Sequence, residues 1–141
     1  MKKSIGRNIS ILNHLFSKQL NNLLLCNNTC ITTDQFRLLT FLWDKDGIAQ
    51  QELVDMIGRD KSAIARMVDL LENSGFIARI LDKTDKRVNL IYLTKKGRQL
   101  KFSAFYCAET CNEIALRNFT EDESIELERL LLKSIRNFNI G

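Results

Sequence analysis

Proline is absent from this 141-residue chain, and histidine occurs once. Without proline, element boundaries must be read from caps, glycines and changes of hydrophobic period. A single histidine excludes an HExxH zinc centre, and neither a glycine-rich phosphate loop nor GxSxG occurs, so an enzyme, a metal or a cofactor is not expected. No apolar run approaches the roughly 20 residues that a membrane span requires. The opening MKKSIGRNIS is not followed by the uninterrupted apolar stretch of a signal peptide. A cytoplasmic chain without membrane contact is therefore expected. In that compartment the four cysteines read as thiols rather than as a disulfide framework.

What is present suits one globular domain with an added assembly element: 45% apolar residues and 27% charged. The net charge of +4 is modest, but its distribution is uneven. From Arg59 to Lys101, eleven Lys and Arg face five acids, a local +6, against −2 over the remainder. Clustered positive charge favours a polyanionic partner over a merely solvated face.

The periodicity gives an order of helix, helix, helix, helix, hairpin, helix, helix. Residues 7–27 carry apolar side chains at helical spacing, with Asn27-Asn28 as the stop. Thr32 and Gln35 have capping-box spacing, and the helix they open ends near Asp46-Gly47. A short helix from Gln50 to Ile57 is closed by Gly58. Asp60 caps a fourth, whose stripe Ile64, Met67, Val68 and Leu71 faces inward. After Gly75 the period changes to two over Ile77–Leu81 and again over Val88–Leu93. Helical spacing resumes to about Asn118, and Thr120 with Glu123 opens a last helix through Phe138. The fold class expected is mainly α (α+β).

The fourth helix leaves Lys61, Ser62, Ala65, Arg66 and Asp69 on its outer side. Short polar and cationic residues at a helix N-terminus suit the major groove, and the preceding short helix gives helix-turn-helix spacing. An ordinary surface helix would show the same spacing. The hairpin weighs against that. Between its strands stand six polar residues, Asp82-Lys83-Thr84-Asp85-Lys86-Arg87, where a tight turn needs about two to five. The extra length carries Lys83, Lys86 and Arg87 past the strands, towards phosphates or the negative minor groove. Asp82 and Asp85 can fix a neighbouring guanidinium.

The stretch QQELVDMIGRDKSAIARMVDLLENSGFIARILDKTDKRVNLIYLTKKG closely resembles the winged helix-turn-helix of the MarR family of bacterial transcription regulators. The resemblance rests on the leucine-rich end of the fourth helix with Gly75, the D-x-x-D-x-R of Asp82, Asp85 and Arg87, and Leu93-Thr94-x-x-Gly97. It implies a sequence-specific regulator, more often a repressor than an activator, acting as a homodimer on double-stranded DNA with a pseudo-palindromic site. It also implies three regions: an N-terminal dimerisation helix (1–30), a winged helix-turn-helix (31–97) and C-terminal dimerisation helices (98–141). By position, Ser62, Ala63, Ala65 and Arg66 fall on the base-reading part, with Gln50 and Lys61 alongside. Arg87 falls on the minor-groove residue of the wing, Asp85 on its support, and Lys83 and Lys86 beside them. Ala63 and Ala65 stand where many relatives carry Thr or Ser, leaving methyl contacts and shifting specificity onto Arg66 and DNA shape.

The last helix supports a dimer independently, because Ile125, Leu127, Leu130, Leu131, Leu132, Ile135 and Phe138 are too much apolar surface for the outside of a small monomer. The resemblance further implies release by a small ligand or an oxidant. His14, Phe16, Phe102, Phe105 and Tyr106 are the effector-pocket candidates, although aromatics at helical spacing are commonly core. Cys107 and Cys111 lie on one apolar stripe, and Cys26 continues Leu20 and Leu23, so all three read as packing. Cys30 lies past the helix end and is the thiol expected to be exposed and open to oxidation. Two other readings stay open: a winged-helix protein-interaction module without DNA binding, and a thiol-based redox-sensing regulator.

Overall fold

The computed structural model describes residues 4–139. Six helices and a small sheet follow in the order α1 (Ile5–Cys26), α2 (Thr33–Asp44), β1 (Ile48–Ala49), α3 (Gln50–Ile57), α4 (Lys61–Asn73), β2 (Ile77–Leu81), β3 (Asn89–Leu93), α5 (Lys95–Ala115) and α6 (Glu121–Phe138). The class is mainly α with a small β wing.

Local chemistry sets these boundaries. At Thr32 and Thr120 the hydroxyl accepts the N–H three residues on, and Gln35 or Glu123 reaches back to the cap N–H. Asp60 caps α4 by accepting from Ala63 N at 2.7 Å. Gly58 ends α3 in the left-handed region at φ +74°, which an L side chain enters only with strain.

The sheet is antiparallel in the order β1-β3-β2, with Ile48 opposite Ile91 and Arg79 also opposite Ile91 on the other edge. Strand β1, absent from the sequence-based order, has only two residues, too few for any period to show. Strand β3 begins one residue later than expected, because Val88 N–H bonds to Asp85 O inside the turn. Helix α5 stops at Ala115, three residues short of the expected Asn118, which itself lies at φ +66°.

One apolar core joins α1 to α5 through the sheet. Its fully buried members include Leu24, Leu39, Leu42, Leu53, Ile64, Leu71, Ile91 and Cys107. Helix α6 is the exception: none of its residues is buried, and Ile125, Leu130, Leu131, Leu132, Ile135 and Phe138 all face outward. Along α1, Ile5, Ile9, Leu12 and Leu15 are exposed as well. The chain thus carries two apolar stripes that its own core does not cover.

The junction between wing and α5 explains the Leu-Thr-x-x-Gly motif. Thr94 Oγ1 accepts from Gly97 N at 3.1 Å to cap α5, and donates to Gly75 O at 2.6 Å. Lys96 Nζ donates to Ser74 O at 2.8 Å, and Trp43 Nε1 to Gly97 O at 3.0 Å. Gly97 lies so close to Phe76 that a Cβ there would sit 2.0 Å from its carbonyl oxygen. Only glycine fits.

Candidate nucleic-acid interface

Helix α4 divides cleanly. Ile64, Met67, Val68 and Leu71 are buried, while Lys61, Ser62, Arg66 and Asp69 are exposed and Ala65 is half-buried. Ala63 belongs with the first group. At 4% exposure its methyl packs into the core, so it is not a base-reading residue. Its position one residue before Ile64 puts it at the edge of the inward stripe, where a serine or threonine hydroxyl would need a buried partner.

The six-residue tip is an ordered turn. Asp82 Oδ1 accepts from both the N–H and the hydroxyl of Thr84 at 2.9 Å. Those bonds, the backbone one first, hold its carboxyl below the usual carboxylate range. Asp85 Oδ1 accepts from Arg87 N and Nε, each at 3.1 Å, and Oδ2 from Nη2 at 3.4 Å. The guanidinium is thereby aimed while its side chain stays 92% exposed. Lys83 and Lys86 are exposed beside it. The two aspartates make the turn, and the cations point out of it.

Gln50, Lys61 and Arg87 come together from three elements. With Gln51 and Asn89 they line a cleft of about 200 Å³ between the start of α3, the first turn of α4 and the base of the wing. The side-chain oxygen of Gln50 is buried there, and among the described residues it is the one such atom without a hydrogen-bond partner.

The five effector candidates do not form one pocket. Phe102, Phe105 and Tyr106 line a shallow depression of about 330 Å³ on α5 with Lys101 and Glu109, and Phe102 is 81% exposed. Phe105 also packs at a tilt against Trp43 and edge-to-face against Phe36, with ring centroids 5.5 and 6.0 Å away. Phe16 lines a separate apolar groove of about 410 Å³ between α1 and α5, together with Leu12, Leu15 and Cys111. His14 is exposed and lines neither. Helical spacing placed these rings on their helices but not across them.

The thiols divide two and two. Cys107 donates to Leu23 O at 3.5 Å and Cys111 to Phe16 O at 3.6 Å, and burial pushes both thiols up. Cys30 is exposed, at φ +64°. Cys26 is exposed too, contrary to its reading as packing: it lies in the last turn of α1, where the stripe of Leu20 and Leu24 has turned away.

Sequence reasoning missed Arg79. It is half-buried at the centre of β2 and bonded to both acids of α4. The signal was an arginine in an otherwise apolar strand, seven residues after a glutamate and ten after an aspartate.

Comparison with known proteins fits this arrangement. A model of the MarR family matches residues 31–88. The multiple antibiotic resistance protein MarR of Salmonella typhimurium is 32% identical over 130 residues, which cover 92% of this chain and 89% of that one. The chain belongs to the MarR family. This places it among DNA-binding transcription regulators rather than enzymes. The crystal structure of a MarR transcriptional regulator from Methanosarcina mazei Go1 superposes with a TM-score of 0.90 at 29% identity, covering 96% of each chain. A MarR family regulator from Listeria monocytogenes, solved in complex with a 26mer DNA, gives a TM-score of 0.84 at 31% identity, covering 97% of this chain and 89% of that one. Among the described residues no helix is long and apolar enough to cross a membrane.

Proposed function

We propose that this MarR family member is a homodimeric repressor that binds a pseudo-palindromic operator in the cytoplasm and is released by a small ligand or an oxidant. The observation that carries the DNA reading is the pairing of an outward α4 stripe, Lys61, Ser62, Ala65 and Arg66, with a wing that holds Arg87 almost fully in solvent. Arg66 reads bases in the major groove; Arg87 enters the adjacent minor groove on its Asp85 support; Lys61, Lys83, Lys86 and Gln50 contact the intervening backbone. The known DNA complex of the Listeria relative supports this reading.

Dimerisation is supported by the uncovered apolar stripes of α1 and α6, residues 1–30 and 98–141 serving assembly while 31–97 bind DNA. Each apolar side chain covered contributes roughly 1.5–3 kcal/mol. A second subunit buries several at once. The depression under Phe102 and Tyr106 and the groove beside Phe16 are the places for a ligand, and Cys26 and Cys30 the thiols open to an oxidant.

The test is selection from a pool of random duplexes at two salt concentrations. Enrichment of a pseudo-palindrome, weakened by added salt, is expected. A folded, reduced protein that retains no duplex at low salt would instead favour the interaction module.

A further inference from the structure

Helix α4 contains two acids, Asp69 and Glu72, against two bases, Lys61 and Arg66, so on its own it offers DNA no net positive charge. Asp69 is the more troublesome. It lies one turn beyond Arg66 on the same outward stripe, and its side chain is 56% exposed. A bare carboxylate there would face the phosphates that flank the major groove, and like charges so placed repel.

Both acids are held by one residue from outside the helix. Arg79, at the middle of β2, donates from Nη2 to Asp69 Oδ1 and, at 2.9 Å, to Glu72 Oε1. Its Nε and its backbone N–H both reach Glu72 Oε2, at 3.4 and 3.2 Å. The Arg79 side chain is 27% exposed, more enclosed than either partner, so solvent screens these contacts less than it does the more exposed ion pairs elsewhere on the surface. Because the backbone N–H takes part, the bond fixes the strand itself and not only the side chain. Lysine could not replace the planar fork that spans two carboxylates.

We propose that Arg79 is a positioning residue for DNA binding: it covers both carboxylates of the recognition helix and braces the wing at a fixed angle to the stripe that carries Arg66. The inference rests on the DNA-binding reading above and adds to it. Counted with Arg79, the charge balance of α4 rises from zero to +1, supplied by the adjoining strand β2. Helix and wing meet the duplex as one piece.

The experiment compares the wild type, Arg79→Met and Arg79→Lys, each with and without Asp69→Asn, on the selected duplex at low and high salt, with thermal melting as the control for folding. Wild-type binding is measured first, so that failure of the DNA reading, seen as no binding by any variant, is distinct from failure of this one. Arg79→Met is expected to lose about tenfold in affinity, the scale of an uncovered interface charge. That loss shrinks at high salt, where repulsion is screened. Asp69→Asn recovers most of it and gains less in the wild-type background, where Arg79 already covers the carboxylate, a difference that lost packing alone would not give. Should Arg79→Met melt below the assay temperature, Arg79→Lys carries the test: a smaller loss is expected, also relieved by Asp69→Asn. A folded Arg79→Met that binds like the wild type overturns the proposal, as does a loss that neither salt nor Asp69→Asn changes.

Discussion

Substitution of Gly97 by alanine should damage this protein far more than one added methyl suggests. The new Cβ would stand 2.0 Å from Phe76 O, 3.0 Å from Phe76 C and 3.2 Å from a Leu93 methyl, where real Cβ contacts do not fall below 3.0 Å. The obstacle is backbone, so the start of α5 must move away from the hairpin by about 1 Å. Overpacking of this kind costs about 1–3 kcal/mol. The shift also strains the Thr94 cap, worth about 1 kcal/mol, and the Trp43 Nε1 bond to Gly97 O, worth about 1 kcal/mol. Alanine returns about 1 kcal/mol through helix propensity. The net loss is about 2–4 kcal/mol, or roughly 6–20 °C in Tm for a chain of this size. Thermal and urea melts at one fixed protein concentration measure it, since assembly makes Tm concentration-dependent. Two controls separate the causes. Gly6→Ala meets nothing within 4 Å and should be neutral or slightly stabilising; Gly58→Ala also meets nothing, but sits at φ +74° and should lose about 1–2 kcal/mol from backbone strain alone. A Gly97→Ala protein melting within about 2 °C of the wild type, or no worse than Gly58→Ala, would refute the reasoning.

Arg87→Ala should weaken binding to most duplexes and reduce the slope of log affinity against log salt by about one for each phosphate that Arg87 neutralises; an unchanged slope and affinity removes the wing from the mechanism. Arg66→Ala should cost about 1–3 kcal/mol chiefly on the preferred site, and an equal loss on random DNA would make Arg66 a backbone contact. Leu131→Glu with Ile135→Glu places two carboxylates on the uncovered face of α6 and should weaken self-association at least about a hundredfold, given roughly 1.5–3 kcal/mol per side chain; sedimentation that still shows a dimer at low micromolar concentration moves the interface elsewhere. Thiol labelling of the reduced native protein should stop at two groups, Cys26 and Cys30, with Cys107 and Cys111 reacting only on unfolding, and mass mapping of the labelled peptides checks it.

Helices announced themselves where a cap met a stripe: Thr32 with Gln35, Asp60 before Ile64, Thr120 with Glu123. The hairpin was equally legible from its change of period and its long charged tip. Features that depend on two segments meeting were not. Strand β1 exists because Gly47 and Ile48 find Ile91, and two residues carry no pattern of their own. Ala63 looked free because alanine is neutral in any helical stripe, and only the packing of α4 shows which side it takes. The aromatic candidates separated for the same reason: Phe16 and Phe102 lie on different helices, and periodicity fixes a face without fixing its neighbour. Arg79 was visible as an oddity, but its partners came from the preceding helix by way of a turn that one-dimensional spacing cannot close.

The bonds that tie Ser74, Gly75 and Phe76 to Thr94 and Lys96, with Gly97 packed against Phe76, join the end of α4 to the beginning of α5 as a single mechanical part. Such a joint transmits torque. On the proposed DNA-binding reading, a tilt imposed further along α5 would reach the duplex as a change in heading of α4, much as a key turns as one body when only its bow is gripped.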